Sequence, residues 1–209
     1  MADNFRLDEL LDRLHATQKD LEQEFDRLLR RRRKEFKYQL RRGRVVFEKN
    51  MRRLQRQYRT GLWQYLTQAN LLTVLTAPII YAMVVPLMLV DVTFTFYQHI
   101  CFRVYRIPRV RRRDHVVIDR HHLAYLNAVE KLNCVYCGYG NGVIAYAREI
   151  TARTEQYWCP IRHARRTPDP HHRVERFIDY GDAEGWREKL PVLREDWEQA
   201  DGAGKTSSD

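Results

Sequence analysis

The chain has 209 residues, with 37 Lys and Arg against 27 Asp and Glu and a formal net charge of +10. Its mean hydropathy of −0.62 is that of an ordinary hydrophilic protein and excludes a chain that is apolar throughout, so local windows must decide what it does. Four cysteines, one of them at the edge of an apolar stretch, leave three that cannot pair completely, which excludes a disulfide framework and fits a reducing compartment and metal binding.

Charge is segregated along the chain. Residues 1–26 hold three basic and eight acidic side chains, residues 27–59 hold fifteen basic and two acidic, and six arginines fall between Arg103 and Arg113. The remaining 96 residues are mildly acidic, with 13 basic against 16, so the positive charge belongs to the flanks of the apolar region. The opening residues MADNFRLDELLDRL are acidic and amphipathic rather than basic and then apolar, so no secretory signal is read and the amino terminus is expected inside the cell.

In chain order, Leu7, Leu11, Leu14, Gln18, Leu21, Phe25 and Leu28 recur at spacings of four and three. This seam of about three heptads predicts a helix, either a parallel coiled coil making a homodimer through residues 7–28 or an amphipathic helix packed on another surface. From Phe36 the apolar positions continue roughly at helical spacing through Leu40, Phe47, Met51, Leu54, Tyr58 and Leu62, with Gly43 as a weak point. Basic residues fill the other faces, including Arg30, Arg31, Arg32, Arg33, Arg52 and Arg53. Residues 1–60 therefore read as a helical arm with a basic neck that meets anionic lipid headgroups, each basic side chain near the surface contributing about 1 kcal/mol. Nucleic acid is the other polyanion such a run can neutralise, and an adjacent membrane segment argues against it.

Between Gly61 and Phe102 the sole formal charge is Asp91, and Leu71 to Val90 is a continuous apolar run. Twenty residues are about what a helix needs to cross a ~30 Å hydrocarbon layer. Arginines mark both flanks, with Arg111, Arg112 and Arg113 closing the second cluster, and lysine and arginine mark cytoplasmic flanks. The expectation is a membrane hairpin or re-entrant segment over 61–105, turning near Pro86 and Asp91 so that the carboxylate reaches an interface. A single transmembrane span is the alternative.

Residues 106–200 are expected to form a cytoplasmic metal domain. Asp119 is read as the cap of a helix stopping at Asn133, and Cys134 and Cys137, followed by Gly138, Gly140 and Gly142, as a metal knuckle in a tight turn. After a second helix over about 143–157 come Cys159 and His163, completing C-x2-C-x21-C-x3-H. That spacing points to structural zinc, with iron or an iron–sulfur cluster as alternatives. The five-residue knuckle resembles those of zinc-ribbon and treble-clef domains. Further on, TPDPHH reads as a linker, Asp182 as a helix cap, Phe177, Ile178, Tyr180, Trp186, Leu190 and Leu193 as cover for the metal domain, and 201–209 as a disordered tail.

No phosphate-cradling loop, nucleophile elbow or paired-carboxylate signature is present. These features together predict a mainly α protein: a membrane-anchored, zinc-binding adaptor or scaffold that docks a protein partner at an anionic membrane surface, with both termini and the metal domain cytoplasmic. A membrane-associated metalloenzyme or iron-dependent electron carrier is the competing class, and a basic nucleic-acid-binding protein the third.

Overall fold

The computed structural model describes residues 2–41 and 44–197, and the expected tail at 201–209 lies outside the described residues. The architecture is mainly helical, as expected, with a two-stranded hairpin among the described residues. The chain forms two units. Among the described residues, one takes those up to Arg59 together with His122–Tyr125, and the other takes Thr60–His121 and 126–197.

In the first unit, α1 (Ala2–Glu35) runs unbroken for 34 residues. Ion pairs at helical spacing line its flanks, including Arg13–Glu9 at 2.7 Å and Arg32–Glu35 at 2.9 Å. Of the predicted seam, Leu14, Leu21, Phe25 and Leu28 are 48–70 % exposed, and the side chains of Leu7 and Leu11 lie outside the described residues.

The basic neck is not the continuous helix that its spacing predicts. Lys37 adopts a left-handed backbone (φ 49°) that ends α1, and β1 (Tyr38–Arg41) pairs antiparallel with β2 (Arg44–Phe47). Aromatic and β-branched residues favour this extended pairing, and the Tyr38 and Phe47 rings meet across it at 5.4 Å. Helix resumes only as α2 (Lys49–Gln57), which carries Arg52 and Arg53.

The second unit begins with α3 (Leu62–Gln68), α4 (Leu71–Ala82) and α5 (Val84–Tyr97), and a π-helical turn at Gln98–Phe102 completes a 32-residue apolar helix. The expected turn at Pro86–Asp91 is absent. Pro86 is the third residue of α5, inside the first turn where backbone N–H groups have no intrahelical partner, so its missing N–H costs no bond and the helix passes straight through Asp91.

After Phe102 the chain reverses. Arg106 takes a left-handed conformation (φ 56°), and the Ile107 N–H donates to the Phe102 carbonyl at 2.9 Å, the bond that closes a Schellman-type helix end. Phe102 and Ile107, the two apolar residues this motif brings together, are buried in one core with Val110, Tyr146, Ile150 and Trp197.

Residues 103–127 then form a strap, with a short helix α6 (Arg112–His115), leading to α7 (Ala128–Trp158). The helix is capped by Asn127, whose side chain accepts from the Glu130 N–H at 3.0 Å while Glu130 accepts from the Asn127 N–H at 2.8 Å. This capping box replaces the predicted cap at Asp119, and α7 runs unbroken where a stop at Asn133 and a knuckle were expected.

Contacts rise together along the two long helices. Tyr81 bonds Asn133, Tyr139 donates to Asp91, Thr95 meets the Tyr146 hydroxyl, and the Tyr105 ring packs on Tyr157. The apolar helix and α7 therefore lie side by side in the same direction, and the strap carries the chain back between them.

The glycines taken for a turn serve this packing. A β-carbon at Gly142 would lie 2.7 Å from Val116 Cα and 2.9 Å from the His115 carbonyl oxygen, and one at Gly138 would lie 3.1 Å from the Val117 carbonyl oxygen. These two positions share a helix face that the strap crosses at backbone contact. At Gly140 the neighbour is a movable group, Leu87 Cδ1 at 3.2 Å. Gly142→Ala is therefore expected to destabilise the protein by about 1–3 kcal/mol despite alanine's better helix propensity. Gly140→Ala should stay within about 1 kcal/mol of wild type, because that propensity gain of ~1 kcal/mol offsets a small repacking. Thermal unfolding of both variants checks the contrast.

Candidate functional site

Along α5 one side of the long helix, with Asp91 and Gln98 buried, packs toward α7 and the strap, and the opposite side is bare. Val85, Leu89, Val92, Phe96 and Ile100 follow one another at spacings of three and four and are 49–67 % exposed, and Leu71, Leu75 and Ile79 are equally open on α4. The helix is about 48 Å long at 1.5 Å per residue, and it is long and apolar enough to cross a membrane.

Asp91 sits on the covered side. Its carboxylate accepts from Arg112 Nε at 2.9 and 3.1 Å, from Arg112 Nη2 at 2.7 Å, and from the Tyr139 hydroxyl at 3.1 Å. The charge expected to need an interface is thus neutralised by the strap, in the bidentate geometry that makes Arg–carboxylate pairs strong. One helical turn on from Thr95, Gln98 reads the strap's backbone, accepting from the Val110 N–H at 2.9 Å and donating to its carbonyl at 3.3 Å while also bonding Tyr146.

The four predicted metal ligands do not meet. Cys134 and Cys137 lie on neighbouring turns in the middle of α7, half-buried and exposed respectively, and Cys159 is the residue that ends the helix. Twenty-two residues at 1.5 Å each put about 33 Å between Cys137 and Cys159, and His163 is exposed in the following loop. No group of three or more potential ligands converges among the described residues. A helical i, i+3 pair places two thiols on one face without the turn that a knuckle needs.

Of the other predicted positions, Arg30, Arg31, Arg32, Arg52, Arg53, Arg111 and Arg113 are exposed, Arg33 is half-buried, and Pro86 lies within α5.

The far end of α7 holds a buried ionic network that residue spacing did not reveal. Glu149 accepts from Arg153 at 2.8 Å and from Arg173 at 2.7 Å. Arg173, 1 % exposed, also donates to Gln156 at 2.9 Å, and Arg153 reaches the Pro108 carbonyl of the strap at 2.7 Å. Gln156 in turn donates to the carbonyls of Leu193 and Asp196 at 2.9 and 3.0 Å, holding the end of α8 (Ala183–Glu195), which Asp182 caps as expected. Phe177, Ile178 and Leu193 are buried, while Tyr180 is exposed.

Comparison with protein-family profiles, with curated proteins and with solved structures found no match. The functional reading therefore rests on the chain's own geometry.

Burial pushes the Glu149 carboxyl up, and the charge of Arg173 with hydrogen bonds from both arginines more than reverses this, leaving it below the usual carboxylate value. A depressed folded-state pKa contributes stability above the unfolded value of about 4.3, and that stability is lost as pH falls through the folded value. Acidification below about pH 4 should therefore unfold the wild type more steeply than Glu149→Gln, which starts less stable at pH 7; tryptophan fluorescence against pH checks this. Burial, and then the Glu155 carboxylate, raise the Cys159 thiol above its ordinary value. Glu155→Gln should speed alkylation of Cys159 by iodoacetamide at pH 8 several-fold and leave Cys137 unchanged, as read by mass spectrometry of the modified peptides.

Proposed function

We propose that this chain is a membrane-associated adaptor that lies in the plane of an anionic bilayer surface through α4 and α5 and holds its second unit ready for a protein partner. The observation that carries the reading is the bare stripe Val85, Leu89, Val92, Phe96 and Ile100 opposite the face that α7 covers. Contiguous apolar surface on this scale marks a membrane or protein contact. Each such side chain removed from water is worth about 1.5–3 kcal/mol, so the stripe alone can hold the chain to a bilayer.

The parallel companion helix favours lying over crossing. An upright helix would carry Glu130, Lys131 and the strap charges from Arg112 to Arg120 into the same depth as residues 81–98, and a charge at the bilayer centre costs at least ~2.5 kcal/mol. Lying in plane, α5 presents its bare side to lipid and its covered side to water. Both arginine clusters then stay on one face of the membrane, which supports the cytoplasmic location of both termini without a hairpin.

The open seam of α1 offers its apolar side to a second copy, giving a homodimer through residues 7–28. The exposed arginines of the neck and of Arg111 to Arg113 are available to lipid headgroups.

Flotation with lipid vesicles tests the reading. Wild type should float with phosphatidylcholine vesicles and more completely when phosphatidylglycerol is included. The double substitution Leu89→Glu with Phe96→Glu should cut flotation more than tenfold while leaving the circular dichroism unchanged. Cys137 and a cysteine introduced near the amino terminus should both resist an impermeant thiol reagent outside intact cells. Labelling of one from outside and the other from inside would establish an upright span instead.

A further inference from the structure

Beside the Asp91–Arg112 pair lies an open groove of about 600 Å3 lined by Asp91, Val92, Thr95, Phe96, His99 and Arg112. We infer that it receives the headgroup of an anionic, hydroxyl-bearing phospholipid of the phosphatidylglycerol type, with the phosphodiester on Arg112 and the headgroup hydroxyl on His99. The inference rests on the membrane reading above and specifies the lipid that the bound helix selects.

Arg112 is held at the rim by three hydrogen bonds to Asp91 that use Nε and Nη2, which leaves the Nη1 donor for a ligand. Its side chain is 44 % exposed, so the guanidinium is fixed on one edge and open on the other. A pre-oriented arginine edge suits a phosphodiester oxygen and loses little freedom on binding it. Asp91 offsets the charge of Arg112, and its sequence neighbours Arg111 and Arg113 are exposed and add positive charge, Arg113 with an ion pair to Asp114 at 3.7 Å.

His99 sets the second requirement. Its Nδ1 lies 2.7 Å from the Thr95 carbonyl oxygen, which can only accept, so Nδ1 carries the ring proton. With Nδ1 committed to that carbonyl, Nε2 is the ring nitrogen left to meet a ligand, and in this tautomer it is an acceptor that matches a hydroxyl. Between the two polar groups the exposed Val92 and Phe96 form an apolar wall along which an acyl chain can lie, continuous with the bare stripe. An amphiphile with a phosphodiester, a hydroxyl and a chain satisfies all three; a choline headgroup has no proton to give His99.

Histidine-selective NMR of the full chain in a non-ionic detergent tests the site by adding dihexanoyl phosphatidylglycerol, dihexanoyl phosphatidylcholine or glycerol 1-phosphate. The His99 resonance, assigned by its loss in His99→Gln, should shift saturably with the first and not with the second. Asp91→Asn with Arg112→Gln, which keeps a neutral hydrogen-bonded pair, should weaken the response at least tenfold. Phe96→Ala, which leaves the ion pair intact, should weaken binding of the lipid and not the response to glycerol 1-phosphate. An equal shift with phosphatidylcholine, or indifference to both substitutions, overturns the inference. Saturation by glycerol 1-phosphate at the lipid's own concentration overturns it too, by making this a free-phosphate site. Failure of the membrane reading itself would appear separately, as wild type that floats with no vesicle.

Discussion

The second unit depends on backbone contact between α7 and the strap at Gly142. Because no side chain stands between Val116 and the helix, residues 115–118 lie in the surface of α7 rather than above it. That depth lets one extended segment touch both long helices at once. Arg112 can then reach Asp91 on the apolar helix, and Val110 can be read by Gln98 two turns further along. A strap lifted by even a methyl group would have to give up one of these pairs, each formed by groups that are costly to leave unpaired in a covered position.

From this follows the direction of α7. A chain that reverses at Arg106 and returns through the strap must start its next helix near the level of Tyr81, so α7 retraces the path of α5 in the same sense. The π-helical turn at Gln98–Phe102 carries two residues on the covered side, Gln98 holding the strap and Phe102 closing the core. At the far end the Glu149, Arg153 and Arg173 cluster repeats the device, since Arg153 ties α7 to the strap at Pro108 while Arg173 brings in the carboxy-terminal segment.

What was legible in the amino acids was the chemistry of each segment, more than its neighbours. The apolar run, the charge segregation, the helical arm and the cap at Asp182 could be read directly because each is local. The glycines at 138, 140 and 142 misled for a physical reason: glycine permits a turn, but it also permits close approach, and one strand of sequence does not say which. Asn127-x-x-Glu130 was the available signal that a long helix starts there, and it outweighs the two cysteines that follow, which are indifferent to helix. The hairpin expectation came from arginines on both flanks, and its turn was placed near Asp91 as a charge in search of an interface. Its partner lies 21 residues away on an irregular segment, a pairing that no periodicity announces.

The two arginine clusters carry the remaining argument about the membrane. Positive flanks on both sides of a 32-residue apolar helix set the positive-inside tendency against a simple crossing, and a fold-back is one way to reconcile them. The structure offers another, because the helix has two unlike sides along its second half. One side is closed by α7 and by a strap bearing arginine, aspartate and histidine, and the other is dominated by apolar side chains, with the groove at His99. Such an element is amphipathic through its packing rather than through its own sequence, whose apolar residues are spread nearly all round. A helix that is uniformly apolar in isolation would choose the bilayer core, whereas on the proposed reading the same helix, with a charged companion along one side of its second half, lies at the boundary, where lipid and water can each meet the side they solvate.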